Sequence, residues 1–72
     1  MEKYVLVKFD TYDSTFRNSF FNTFEEASDE MQTQFNEIDT FGNMSYGSVS
    51  KDYGYAVTDR GEVNWEVIKV EF

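Results

Sequence analysis

One segment of this chain has a helical period, and it sits between segments that alternate. From Phe24 onward, Phe24, Ala27, Met31, Phe35 and Ile38 recur at steps of three and four, a single apolar stripe. Thr23-Phe24-Glu25-Glu26 starts it as a capping box, with Thr23 as N-cap and Glu26 three residues on, reaching back to the Thr23 amide. The spacing predicts a helix from about Phe24 to Asp39 that stops before Gly42. A lone amphipathic helix must bury its stripe on something, and the only other material is strand-like, so the constraint points to a helix on a sheet.

The strands follow from period-two patterning. Lys3 to Asp10 carries Val5, Val7 and Phe9 on one face and Tyr4 and Leu6 on the other, which suits a central strand. Asp10 to Thr15 is a polar turn, in which Asp10, Asp13 and Ser14 cap the loop; they lack the ligand pattern of a calcium site. Phe16 to Asn22 fits a returning strand. Ser45 to Ser50, Tyr53 to Thr58 and Val63 to Glu71 fit a meander, turned at Lys51-Asp52 and at Asp59-Arg60-Gly61-Glu62. In the last segment Val63, Trp65 and Val67 share one face and Ile68, Val70 and Phe72 the other, which reads as a bulge or as a strand buried on both sides. The expected class is α+β: one amphipathic helix across a twisted antiparallel sheet of four to five strands. The order is β-β-α-β-β-β, or β-α-β-β-β without Phe16 to Asn22, and the first strand pairs with the last. Seventy-two residues make one compact domain, 1–72.

Composition excludes several kinds of chemistry. The chain has no Cys, no His and no Pro, so it offers neither a zinc-thiolate site nor the commonest general base. No Gly-rich phosphate loop is present, and no enzyme activity, cofactor or metal is expected. The net charge is −8, which opposes direct contact with nucleic acid and with anionic membranes. No apolar run reaches the length of a membrane span, and the expected setting is cytoplasmic.

The negative charge is concentrated. Glu25, Glu26, Asp29, Glu30, Glu37 and Asp39 fall between Thr23 and Thr40 with no Lys or Arg among them; the remaining eight acids and six bases leave only −2 elsewhere. Glu26, Asp29, Glu30 and Glu37 are expected on the outer helix surface, extended by Gln32, Thr33, Gln34 and Asn36. Such a face keeps a small aromatic-rich protein in solution. It also makes a row of carboxylates able to imitate a phosphate backbone and to engage a partner protein with a basic, nucleic-acid-binding surface. In size, charge and architecture the chain resembles, as a class, the anti-restriction and anti-CRISPR inhibitors of phages and mobile elements. That resemblance implies an inhibitor which blocks its target by mimicking nucleic acid.

Two further readings concern the strands. Lys51, Tyr53, Gly54 and Tyr55 are similar to part of the RNA-recognition signature, in which aromatics on adjacent strands stack bases, with Tyr4 as the companion. Asp52, Ala56 and Thr58 depart from that pattern, and there is no room for the second helix. The other reading puts Tyr53, Tyr55 and Trp65 together on an uncovered sheet face, as a hot spot for a partner or for a homodimer of a self-associating assembly module.

Overall fold

A computed structural model describes residues 2–11, 14–41 and 44–71. The elements run β1 (Glu2–Asp10), β2 (Thr15–Phe21), α1 (Phe24–Phe41), β3 (Met44–Val49), β4 (Tyr53–Thr58) and β5 (Glu62–Glu71). This is the expected β-β-α-β-β-β order, with β2 at Thr15–Phe21 where a strand from Phe16 to Asn22 was expected. The strands form one antiparallel sheet in the order β2-β1-β5-β4-β3, so the first strand lies centrally and pairs with the last. The expected helix stop at Gly42, the loop residue Asp13 and the face of Phe72 lie outside the described residues.

The helix begins as the capping residues dictate, with one difference. The Glu26 amide donates to the Thr23 hydroxyl oxygen at 3.2 Å, and the Ala27 amide donates to the Thr23 carbonyl at 3.3 Å. The Glu26 carboxylate accepts from the Thr23 hydroxyl at 3.1 Å, in place of the expected return to the Thr23 amide. The Thr23 oxygen therefore both caps the helix and is held by the acid. Thr23→Ala should lower stability by about 1 kcal/mol in urea denaturation; no change would mean that the cap is made by water instead.

Register and alternation define the two faces of the sheet. Tyr4, Leu6 and Lys8 of β1 lie in the same rows as Lys69, Val67 and Trp65 of β5, and Trp65 and Val63 in turn face Gly54 and Ala56 of β4. This is the helix side. Its core is Leu6, Met31, Ala56, Val63 and Trp65, with Phe21, Phe35, Ile38, Met44, Val49 and Val67 packed around it. A Cβ on Gly54 would come within 3.1 Å of Val49 Cγ2, so the missing side chain lets β3 pack close beside β4.

β5 pairs with β1 from Val63 to Glu71 without a register shift. The bulge expected as one alternative is therefore absent, and the other, burial on both sides, does not hold either, since Ile68 on the uncovered face is 41 % exposed. The irregularity of the sheet is instead in β3, between Met44 and Tyr46. The turns are closed by side chains. The Thr58 hydroxyl donates to the Gly61 carbonyl and accepts from the Arg60 and Gly61 amides, while the Thr11 hydroxyl accepts from the Glu62 amide at 2.8 Å. Among the described residues no helix is long and apolar enough to cross a membrane.

Candidate functional site

The acidic helix splits into an outer surface and two flanks. Glu25, Glu26, Asp29, Glu37 and Asp39 are exposed. Glu30 is half-buried rather than outward-facing, and Gln34 departs further from expectation. It points toward the sheet, where its Oε1 accepts from the Trp65 indole N–H at 2.9 Å and its Nε2 donates to the Glu30 carboxylate at 2.8 Å. The indole N–H is the only polar atom of a side chain that is 2 % exposed, and it needs an acceptor in the core. Gln34 supplies that acceptor from the helix and Glu30 holds Gln34 in place, so Glu30 serves the core. Glu26 likewise serves the cap. Lys51 lines a shallow depression with Glu25 and Asp29, so a cation borders the N-terminal part of the acidic surface.

The RNA-like trio is not brought together. Tyr4 lies on the helix side, its ring edge-on to Phe24 at 6.0 Å, whereas Tyr53 and Tyr55 belong to the opposite face; β5 separates their strands. Trp65 is also on the helix side, edge-on to Phe35 at 6.1 Å. It is therefore not part of a hot spot with Tyr53 and Tyr55. The two tyrosines do share the uncovered face, where Tyr46 packs edge-on against Tyr55 at 6.3 Å.

That uncovered face is the most unusual surface of the molecule. The register aligns Phe20, Val5 and Ile68 in one row, Asn18, Val7, Glu66 and Tyr53 in the next, and Phe16, Phe9, Asn64, Tyr55 and Ser48 in a third. Phe9, Phe16, Phe20, Tyr46, Tyr53 and Ile68 are exposed by 41 to 64 %, and all six belong to this face. Phe9 and Phe16 meet edge-on at 6.4 Å. Between Phe20 and Ile68, Val5 is only 7 % exposed, so this side already shelters an aliphatic residue without any covering layer.

The face is apolar along β1 and β2 and carries acceptors along β5, where Glu62, Asn64 and Glu66 alternate toward it. Its strand positions hold one base, Lys3, which is hydrogen-bonded to Asn22 at the far end. Lys69 points the other way and bridges to Glu2 at 2.9 Å; the hydrogen bond and charge of Glu2 raise its pKa above the ordinary lysine value. A shallow groove of about 470 Å³ crosses the uncovered face, lined by Val7, Phe9, Tyr53, Asn64 and Glu66, with Asp52 at its end. Sequence reasoning found Tyr53 here but missed Phe9 and Glu66; the polar run Glu62, Asn64 and Glu66 at the parity of Ile68 and Val70 was the available signal.

Among the described residues no group of three or more acids is placed to hold a metal ion. In comparisons with known proteins, no family model, no curated protein and no solved structure matches the chain.

Proposed function

We propose that this is a non-enzymatic interaction protein that docks its uncovered sheet face on a partner protein with a basic surface. The observation that carries this reading is that, among the described residues, the six exposed large hydrophobics all lie on one face. The five strands hold 38 residues; at about 3.3 Å by about 4.8 Å each they tile about 600 Å², close to one side of a standard-size interface. Charge argues for the basic partner. The net charge is −8, and Glu62 and Glu66 stand in the middle of the face. A second copy docked face to face would bring two sets of these carboxylates together with only Lys3 to offset them, at a steep desolvation cost.

An inhibitor of the nucleic-acid-mimicking kind would use the helix instead. The observation favouring this second reading is that Glu25, Glu26, Asp29, Glu37 and Asp39 are all exposed on a helix with no base. The two readings separate in one experiment. Labelled basic, neutral and acidic dodecapeptides are titrated by fluorescence anisotropy at low and physiological ionic strength. The proteins are wild type, a Phe16→Ser/Phe20→Ser variant and a Glu25→Gln/Asp29→Asn/Glu37→Gln/Asp39→Asn variant. Basic peptides, best with interspersed aromatics, should bind wild type. Their affinity should fall about tenfold in the phenylalanine variant, as expected on loss of interface anchors, and less than about threefold in the helix variant. The opposite pattern, with steep salt dependence, would move the function to the helix. No preference for basic over acidic peptides would overturn both readings.

A further inference from the structure

The groove on the uncovered face has a chemistry of its own. Phe9 of β1 and Tyr53 of β4 stand on either side of β5, and between them the β5 side chains Asn64 and Glu66 face outward. Asp52, in the turn before β4, closes one end, and Val7 makes the apolar part of the lining. Two aromatic rings, the Glu66 carboxylate and the Asn64 amide thus face a space of about 470 Å³, with Asp52 at its edge. Among the described lining residues there is no Lys or Arg. Lys3 lies four residues away along β1, about 13 Å at strand rise.

We infer that this groove is a subsite for an arginine side chain of the partner, an inference that rests on the docking face proposed above. A guanidinium is planar, weakly hydrated and always charged, so it can stack on an aromatic face while its edge forks to a carboxylate. The groove presents both partners, rings at the sides and the Glu66 carboxylate at the floor. An ammonium would reach the same carboxylate as a point charge but would gain less from the rings and shed its water at greater cost. A neutral side chain would leave Glu66 covered without a counter-charge, which is unfavourable once the face is closed by a partner. Glu66 selects for charge and the two rings select for a flat cation, so the subsite gives the docking face a preference within basic sequences.

The test uses the intact protein, uniformly labelled with nitrogen-15, and three small probes: N-acetyl-arginine amide, N-acetyl-lysine amide and N-acetyl-citrulline amide. Citrulline keeps the shape of arginine and removes its charge. Arginine amide should produce saturable amide shifts clustered at Val7, Phe9, Tyr53, Asn64 and Glu66. Lysine amide should bind about threefold more weakly and citrulline amide at least fivefold more weakly. Glu66→Gln and Tyr53→Leu should each weaken arginine binding about fivefold, with amide spectra that otherwise overlay wild type. Equal shifts from arginine and citrulline, or arginine shifts confined to the helix acids, would overturn the subsite. Its failure is distinguishable from failure of the docking face. If basic peptides lose affinity with Phe16→Ser/Phe20→Ser but not with Glu66→Gln, the face stands and the arginine subsite falls. If they lose it with neither, the docking face falls.

Discussion

Trp65→Ala should lower the unfolding free energy by about 3–5 kcal/mol. That is a large share of the total for a chain of this length, for which about 4–11 kcal/mol is ordinary. Two losses combine. The indole is 2 % exposed in the centre of the core, between β5 and the helix, and its ring contact with Phe35 goes with it. Gln34 is also left half-buried with an amide oxygen that has lost its donor. Trp65→Phe keeps most of the apolar volume and removes only the N–H, so it should cost about 1–2 kcal/mol. A double-mutant cycle with Gln34→Leu should recover part of that, because the oxygen left without its donor is removed as well. The melts are followed by circular dichroism, since this is the only tryptophan. If Trp65→Ala cost less than about 1 kcal/mol, the helix would not cover that face. Trp65→Phe should also leave peptide binding within about twofold of wild type, because the indole lies on the opposite side from the docking face.

Sequence reasoning leaves the side on which Trp65 lies open between core and uncovered face, although its own strand carries a cue. β5 is apolar at both parities, with Val63, Trp65 and Val67 on one face and Ile68 and Val70 on the other. Alternation separates the two sets, and Glu62, Asn64 and Glu66 at the parity of Ile68 and Val70 mark the other set as the one the helix takes. The neighbouring strand is read more easily. In β4 the aromatics Tyr53 and Tyr55 lie on the uncovered face as expected, and Gly54 and Ala56 are the buried pair. A helix packed on a sheet needs small residues beneath it at close approach, and the bulky indole of the next strand fills the space they leave. β1 places Leu6 and Val5 as its alternation requires. The helix stripe is equally legible, because a 3.6-residue period with a capping residue has no competing reading.

The acidic surface was legible in number but not in role. Counting places six acids on the helix, but a count does not show that Glu30 is bound to Gln34 or that Glu26 is held by the Thr23 hydroxyl. The first depends on a partner 31 residues further along, reached only once β5 lies under the helix. The groove is a non-local construction of the same kind. Phe9, Glu66 and Tyr53 belong to three strands, and only the β1–β5–β4 registers bring them side by side. No local pattern encodes such a site. The strands fix its parts by parity, and the sheet order assembles them.

Met31→Ala should cost about 2–5 kcal/mol, the range for removing a fully buried methionine side chain from a packed core. Met31 is 0 % exposed and sits mid-helix in the same core as Leu6, Ala56 and Trp65. Rigid β-sheet backbone lies on one side and the helix axis on the other, so collapse around the space it leaves would require the helix to shift as a body. Met31→Leu conserves volume and should cost less than about 1.5 kcal/mol. Glu37→Ala, on the exposed face of the same helix, should stay within about 0.5 kcal/mol. Phe35, half-buried against Trp65, should fall between Met31 and Glu37 when truncated to Ala. Urea melts of the four variants at one temperature give the ranking directly. The order Met31→Ala, Phe35→Ala, Met31→Leu, Glu37→Ala is the expected result, and similar costs at positions 31 and 37 would mean that the helix buries a different face. A loosened helix would also expose a second apolar surface behind the docking face. Met31→Ala should therefore aggregate at concentrations where wild type stays dispersed, an effect that light scattering during refolding would reveal.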